Sequence, residues 1–193
     1  MTTAIETTLS EYDFIVVVDA SGSMETEDVK GRSRWASVQE TAEQFTRDLA
    51  KIDADGIGLV VFSGQGVDSY DGVNAQKLAD VFASRRPRSS TPLAEALTEA
   101  LKLAGKSDKK DFIIVFTDGV PDDQAAAAKL LVLPAALPAL LCRSATGWVL
   151  GPSSAVTRFP FLGLATDVHQ ESGTTLWRID TTKPAMLSAL ACG

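Results

Sequence analysis

Short apolar runs rich in β-branched residues recur along the chain, at residues 14–18, 57–62 and 112–116. Runs of this length and composition are typical of strands that are buried on both faces of a parallel sheet. Between the runs, apolar residues recur every three or four positions, which is the spacing of an amphipathic helix. The clearest helical stripe comprises Trp35, Val38, Ala42, Phe45, Leu49 and Ile52. This alternation predicts an α/β fold, in which helices flank a doubly wound, mostly parallel sheet.

Three shorter signals add detail to this prediction. Residues 67–70 lie between glycines and predict a short antiparallel edge strand that pairs with the second buried strand. Asn74 is predicted to cap a short helix. Pro92 at the first helical position, with Thr91 as the N-cap, predicts the start of a longer helix over residues 93–104.

The first buried strand ends in a cluster of small, oxygen-bearing side chains. Asp19, Ser21 and Ser23 are spaced two residues apart, so in an extended segment they point to the same side. Gly22 allows a tight turn between the two serines. One carboxylate and two hydroxyls suit a hard cation such as Mg²⁺, which prefers oxygen ligands. The charged, aperiodic stretch over residues 25–34 is predicted to be a loop at the rim of this site.

Residues 19–23, which read DASGS, resemble the DxSxS signature of the von Willebrand factor type A (VWA) domain and its metal-ion-dependent adhesion site. In that family a threonine and a second aspartate, each from a later loop, complete the metal site. Thr91 and Asp118 stand at the corresponding positions here, and the resemblance extends over about residues 12–129. It implies a Rossmann-like VWA fold. The metal ligands that it implies, for Mg²⁺ or Mn²⁺, are Asp19, Ser21, Ser23, Thr91 and Asp118.

The resemblance implies a protein-interaction module and not an enzyme. Its expected function is adhesion-type binding, in which the metal ion receives an Asp or Glu carboxylate from a partner protein. Relatives of the bacterial intracellular type suggest a partner class, either an ATPase chaperone or a stress-response component.

One enzymatic alternative stays open. A Mg²⁺-dependent phosphotransferase or phosphatase of similar topology uses an aspartyl nucleophile, which would be Asp19, and Asp118 would help to hold the ion. Such enzymes commonly carry a second aspartate two residues after the nucleophile, where this chain has Ser21. A Ser–His–Asp triad would need His169, the sole histidine, which we expect to be a surface or loop residue.

The net charge and the first ten residues limit the expected partners and the expected cellular location. The chain has 25 acidic and 18 basic residues, and its net charge of −7 argues against nucleic acid or an anionic membrane as a partner. Its first ten residues lack the pattern of a secretory signal, so we expect a cytoplasmic protein. Cys142 and Cys192 are expected to be reduced, because their spacing fits neither a metal site nor a disulfide framework.

The expected domain organisation is a polar lead-in over residues 1–11 and a single VWA domain over residues 12–193. Residues 130–166 are atypical for the family, because they are poor in charge and contain prolines that interrupt a helix. The remaining predicted elements are an alanine-rich helix capped by Asp122 or Asp123, a weak strand over 145–150, a final strand over 176–181 and a closing helix over 183–191.

Overall fold

The structure, a computed structural model, describes residue 10, residues 12–29, 31–51, 54–118 and 120–131, and four later strands. The strands of the main sheet are β1 (Tyr12–Asp19), β2 (Ile57–Ser63), β3 (Gly66–Val73), β4 (Lys110–Thr117) and β5 (Ala139–Arg143). The helices are α1 (Arg34–Leu49), α2 (Ala75–Ser84), α3 (Leu93–Leu103) and α4 (Gln124–Leu131). The parallel strands β1, β2, β4 and β5 are thus separated by helices as predicted, with the edge strand β3 directly after β2.

The main sheet has the strand order β3-β2-β1-β4-β5. Four of its strands run parallel, and β3 pairs antiparallel with β2 across a tight turn. The predicted mostly parallel, doubly wound sheet with one antiparallel edge strand is therefore confirmed. β3 is longer than the predicted residues 67–70, because its pairing with β2 extends from Gly66 to Val73.

Helices bury both faces of the central strand. Val16 and Val18 of β1 belong to a core that includes Trp35 of α1, whereas Ile15 and Val17 belong to a second core with α3 on the opposite face. Val16, Val17 and Val18 are fully buried. Complete burial of a valine side chain stabilises a fold by roughly 1.5–3 kcal/mol, so β1 anchors both layers.

Strand order reverses next to β1, and this determines where a site can form. From β1 the chain passes to β2 and β3 on one side, then crosses to β4 on the other side. Asp19 ends β1 and Asp118 follows directly after β4. Because these neighbouring strands are parallel, their carboxyl ends open a crevice at the switch point, which is where such sheets bind ligands.

The predicted helix caps have mixed outcomes. Asn74 Oδ1 accepts the backbone N–H of Lys77 at 2.9 Å, and Asp123 Oδ1 accepts that of Ala126 at 2.9 Å, so both are caps. The prediction that Thr91 caps α3 is wrong. Pro92 occupies the N-cap position, where it makes no side-chain capping bond. The helix begins at Leu93, as predicted, and ends at Leu103, one residue before the predicted end.

After residue 131 the structure describes four strands, and the sequence predicted only two of them. β5 pairs parallel with β4, while β6 (Gly147–Pro152), β8 (Thr174–Ile179) and β7 (Ala165–Glu171) form a separate antiparallel sheet in that order. The predicted strands over 145–150 and 176–181 overlap β6 and β8. His169 was expected to be a surface or loop residue, and its position within β7 excludes the loop.

Several predictions fall on residues outside the described ranges. These are Ile52 in the helical stripe, most of the lead-in over residues 1–11 and the closing helix over residues 183–191. The single-domain organisation over residues 12–193 stays a prediction. Within the described part of the chain, every helix is too short or too polar to cross a membrane.

Candidate metal site

Asp19 lies at the bottom of the crevice and is fully buried. Its Oδ1 accepts the backbone N–H of Ser21 at 2.7 Å, and its Oδ2 accepts the hydroxyl of Thr117 at 2.7 Å. Burial raises the pKa of this carboxyl above its ordinary value, and the hydrogen bonds from Thr117 and Ser21 partly offset that rise. Asp19 is thus a buried carboxylate whose two oxygens are both held in place.

The two serines of the DASGS segment converge, although not by the predicted geometry. Ser21 is extended, with φ −70° and ψ 164°, but Gly22–Glu25 forms a 3₁₀ turn. The chain therefore turns between the two serines, as Gly22 allows, so Asp19, Ser21 and Ser23 do not share one extended segment. The turn buries Met24 completely in the core. The turn still brings Ser23 Oγ to 3.1 Å from Ser21 Oγ.

Asp118 joins this cluster from the neighbouring strand end. Its Oδ1 accepts a hydrogen bond of 2.6 Å from the Ser23 hydroxyl, across 95 residues of sequence. Only 3% of its side chain is exposed. Asp19, Ser21, Ser23 and Asp118 are thereby connected through a continuous series of contacts at the carboxyl edge of the sheet.

Thr91 is buried on the adjacent loop, and backbone contacts hold it beside the cluster. Its N–H donates to Asp122 Oδ1 at 3.0 Å, and its carbonyl accepts the N–H of Asp122 at 3.0 Å. The same loop meets the DASGS segment, where Gly22 N–H donates to the carbonyl of Ser89 at 3.1 Å. All three predicted site segments are therefore tied together.

The threonine loop approaches β2 closely at Gly64. The N–H of Gly64 donates to the carbonyl of Ser90 at 3.0 Å, and a Cβ on Gly64 would lie 3.0 Å from the backbone nitrogen of Ser90. Ser89 has a φ of 69°, a left-handed conformation that is unfavourable for a residue other than glycine. Such strained backbone tends to occur at functional sites, where surrounding contacts hold it.

Arg34 contacts this cluster, although the sequence did not predict it. It begins α1, and its Nη1 donates to Asp118 Oδ2, while its Nε donates to both oxygens of Asp28 at 2.9 and 3.0 Å. The pKa of Asp28 is lowered, chiefly by the hydrogen bonds from Arg34. The sequence gave no indication that Arg34 would contact Asp118, because Arg34 ends a charged stretch without periodicity. Thr117, which holds Asp19, was missed as well.

The hydrogen-bonded oxygens of this cluster are close enough together to become neighbouring ligands of one small dication. Neighbouring ligands of octahedral Mg²⁺, at metal–oxygen distances near 2.1 Å, lie about 3 Å apart. Ser21 Oγ and Ser23 Oγ are 3.1 Å apart, and Ser23 Oγ lies 2.6 Å from Asp118 Oδ1. Hard oxygen donors at this separation are of the kind that Mg²⁺ and Mn²⁺ prefer. Among the described residues, no three His, Cys, Asp or Glu side chains gather as a metal cluster, which is consistent with a site built largely of hydroxyls.

Comparison with protein families decides the classification. The sequence profile of the von Willebrand factor type A domain matches residues 14–120, which is more than half of the chain. The chain belongs to the VWA family. The matched region contains Asp19, Ser21, Ser23, Thr91 and Asp118. No functionally curated protein matches the chain.

Solved structures share the VWA fold at low sequence identity. Manganese-loaded TRAP from Plasmodium vivax has a TM-score of 0.57 and 17% identity over 70% of this chain and 58% of that one. An aerotolerance-related membrane protein from Bacteroides fragilis has a TM-score of 0.53 and 17% identity over 93% and 86% of the two chains. The VWA domain of SpRpn10 has a TM-score of 0.50 and 13% identity over 58% and 62%. At these identities the likeness shows the fold alone.

Other similar structures are much longer proteins. The VWA domain spans 20% of a three-domain structure, and 38% of a single-domain structure, of the pilus tip protein Mfa5 from Porphyromonas gingivalis. It spans 16% of the pilus adhesin SpaC from Lactobacillus rhamnosus GG. What those whole proteins do does not transfer to this chain.

Proposed function

We propose that this VWA domain is a metal-dependent protein-interaction module of the adhesion type. A divalent cation, Mg²⁺ or Mn²⁺, would bind through the metal-ion-dependent adhesion site and receive an Asp or Glu carboxylate from a partner protein. The observation that carries the proposal is the contact series from Ser21 through Ser23 to Asp118, formed beside the buried carboxylate of Asp19. The proposed ligands are Asp19, Ser21, Ser23, Thr91 and Asp118.

The residues differ in what they contribute. Ser21 and Ser23 supply neutral hydroxyl oxygens that already face one another, and Asp118 supplies an adjacent charged oxygen. Both oxygens of Asp19 already accept hydrogen bonds, so Asp19 is suited to act through a water molecule. Ser23 is exposed, which opens the site to solvent on its side.

Charge balance explains why a carboxylate would be recruited. The bound ion would act as a Lewis acid. Among its proposed ligands only Asp19 and Asp118 carry a negative charge, because the other three are neutral hydroxyls. A carboxylate from outside would form a short, charge-assisted contact there, which is strong where solvent is partly excluded. The loops that carry Ser89 and Asp122 border this opening and would select the partner surface.

The partner class and the cellular location are part of the proposal. An ATPase chaperone or stress-response component of the cytoplasm is the context that the bacterial intracellular type of VWA domain suggests. Nucleic acid and membrane surfaces are disfavoured by the net charge of −7. The enzymatic alternative is also disfavoured, because Asp19 is fully buried and both its oxygens are engaged, which leaves it poorly placed to attack a phosphoryl group.

Titration calorimetry with Mg²⁺ and Mn²⁺ tests the metal half of the proposal. The wild type is expected to bind one ion, and Asp118→Asn and Thr91→Ala are expected to abolish or strongly weaken that binding. Asp80→Asn and Thr98→Ala are matched controls, because both residues lie exposed on helices away from the site. Unchanged binding in Asp118→Asn and Thr91→Ala would contradict the assigned ligands.

The partner half is tested with any protein that associates with the domain in Mg²⁺. Association should be lost in EDTA, in Asp118→Asn, and when one Asp or Glu of the partner is changed to Asn or Gln. Association that survives both EDTA and Thr91→Ala would place the contact surface elsewhere.

A further inference from the structure

Arg34 joins two acidic residues that lie on different segments. Its Nε and Nη2 donate to Asp28 in the loop before α1, while its Nη1 donates to Asp118 after β4. The Arg34 side chain is 20% exposed and that of Asp118 is 3% exposed, so solvent screens this contact little. A permanently charged guanidinium therefore occupies one oxygen of a proposed metal ligand.

We infer that Arg34 is a built-in competitor of the divalent cation. In the metal-free domain its guanidinium neutralises Asp118, and cation binding requires it to withdraw from Asp118 onto Asp28. This inference rests on the proposed function, because it concerns regulation of the same site.

The two oxygens of Asp118 show why the cations compete. Oδ1 faces the Ser23 hydroxyl, within the cluster that fits the metal, and Oδ2 faces Arg34. A dication on Oδ1 would lie within a few ångströms of the guanidinium on Oδ2. Like charges at such a distance repel strongly when both are shielded from water. Arg34 also neutralises the charge of Asp118 in the absence of the ion, so the carboxylate attracts the ion less strongly.

Asp28 gives Arg34 a place to remain after it leaves Asp118. Nε lies within 3.0 Å of both Asp28 oxygens, and Nη2 donates to Oδ2 as well, which is the fork-like arrangement that carboxylates and guanidinium groups favour. Asp28 is more exposed than Asp118, at 38% against 3% of the side chain. Asp28 thus holds Arg34 independently of Asp118. It thereby reduces the free-energy cost of breaking the hydrogen bond between Arg34 and Asp118. Asp28 is therefore a positioning residue for Arg34.

Calorimetric titration with Mn²⁺ at fixed ionic strength tests the inference. Arg34→Gln is expected to bind Mn²⁺ at least about fivefold more tightly than the wild type, because one close like charge is removed. Asp28→Asn is expected to bind more weakly, because Arg34 then rests on Asp118 alone. When Arg34 is already glutamine, adding Asp28→Asn should change the Mn²⁺ affinity by about twofold or less, because Asp28 acts through Arg34.

The neighbouring pair Arg32–Glu40 supplies matched controls. Arg32 lies two residues before Arg34, and its exposed ion pair with Glu40 has no contact with the proposed ligands. Arg32→Gln and Glu40→Gln make the same charge changes as Arg34→Gln and Asp28→Asn, so they measure the long-range part of each effect. Circular dichroism and melting in EDTA establish that each variant is folded, and Mn²⁺ should raise the Tm of Arg34→Gln more than that of Arg32→Gln.

The outcomes distinguish Arg34 as a competitor of the cation from Arg34 as a support for Asp118. Mn²⁺ binding by Arg34→Gln that is equal to or weaker than that of Arg32→Gln would overturn the inference and make Arg34 a support for Asp118. If Arg34→Gln fails to fold, Asp28→Asn must still bind more weakly than Glu40→Gln, or the inference is wrong. Absence of Mn²⁺ binding in the wild type and in every variant would overturn the proposed metal site itself. Binding by Arg34→Gln but not by the wild type would support competition in its strongest form.

Discussion

Thr117 ends β4 and donates its hydroxyl to Asp19, which lies 98 residues earlier in the chain. Only 4% of Thr117 is exposed, so water cannot replace this hydrogen bond if the hydroxyl is removed. A single side chain thereby couples the end of β4 to the carboxylate at the end of β1. At the scale of single residues, the site depends on such buried partners as much as on its proposed ligands.

The variant Thr117→Val keeps the branched shape and removes the hydroxyl. It should lower the free energy of unfolding by about 1–3 kcal/mol, the cost of leaving a buried acceptor without its donor. Urea denaturation in EDTA measures this loss. Thr98→Val on the exposed face of α3 is the control and should change stability by less than about 0.5 kcal/mol. An unfolding free energy equal to that of the wild type would show that another group replaces the hydroxyl.

Asp111 allows a prediction about pH at the opposite edge of the sheet. It is buried and accepts the N–H of Gly105 at 2.8 Å, and burial followed by the nearby charge of Asp13 raises its pKa above 3.8. A carboxyl whose folded pKa is raised destabilises the fold above that pKa, and the penalty disappears as pH falls through it toward 3.8.

Asp111→Asn should therefore be more stable than the wild type at pH 7, and the difference should shrink on acidification toward pH 4. The amide oxygen of asparagine can still accept the Gly105 N–H. Urea midpoints measured across this pH range test the prediction, with Asp80→Asn on the exposed face of α2 as the control. A stability difference that grows on acidification would contradict the assigned sign.

At the scale of elements, the loops at the carboxyl edge support one another through backbone contacts. The threonine loop is fixed to the DASGS segment by the bond from Gly22 N–H to Ser89, and to the end of β2 by the bond from Gly64 N–H to Ser90. Its conformation includes the left-handed Ser89. Thr91 is therefore positioned by loop packing and not by a helix cap.

The variant Gly64→Ala should displace this loop. The added methyl would crowd the backbone nitrogen of Ser90 at 3.0 Å, and overpacking of this kind typically costs about 1–3 kcal/mol. Because Thr91 lies on the displaced loop, Mn²⁺ affinity measured by calorimetry should fall together with stability. Gln65→Ala, at the next exposed position of the same turn, should change neither quantity. Full Mn²⁺ affinity in Gly64→Ala would indicate that the loop tolerates the shift.

At the scale of the whole molecule, local sequence determines the core of the sheet but not its long-range contacts. Residues 14–18 are buried on both faces, so their apolar composition was sufficient to predict β1. The apolar stripe of α1 was equally clear. Arg34 could not be predicted, because its partner Asp118 is 84 residues away and the surrounding stretch has no periodic pattern. Gly22 indicated the turn after Ser21, but the burial of Met24 by that turn is a tertiary contact that the local sequence does not encode.

The second sheet shows the same limit. β6 contains Gly147, Gly151 and Pro152 among its six residues, so its composition favours a strand only weakly. Its pairing with β8, and that of β7 with β8, arises from contacts that no short pattern encodes. The sequence accordingly predicted strands near β6 and β8 but no antiparallel sheet.

Native-state hydrogen exchange should reveal this difference in local stability. Amides of β6 are expected to exchange at least about a hundredfold faster than the central amides of β1 and β4, because half of the residues in β6 disfavour a strand while the central valines of β1 are fully buried. Mass spectrometry of exchanged peptides measures the rates, with β2 as a second core reference. Equal protection in β6 and β1 would show that packing compensates for the weak composition.

The antiparallel strand β3 also bears on how the protein behaves at high concentration. A terminal strand presents unpaired backbone groups that can recruit a strand from another molecule. β3 carries Asp68 and Asp71, which form ion pairs with Arg85 and Lys106 while their side chains remain 50% and 62% exposed. A strand from a second molecule would have to remove these charged groups from water, which is costly. The double variant Asp68→Thr/Asp71→Thr should therefore self-associate at concentrations where the wild type and Asp80→Asn scatter light as monomers. We therefore expect the polar edge strand to keep copies of the domain apart as well as to complete the sheet.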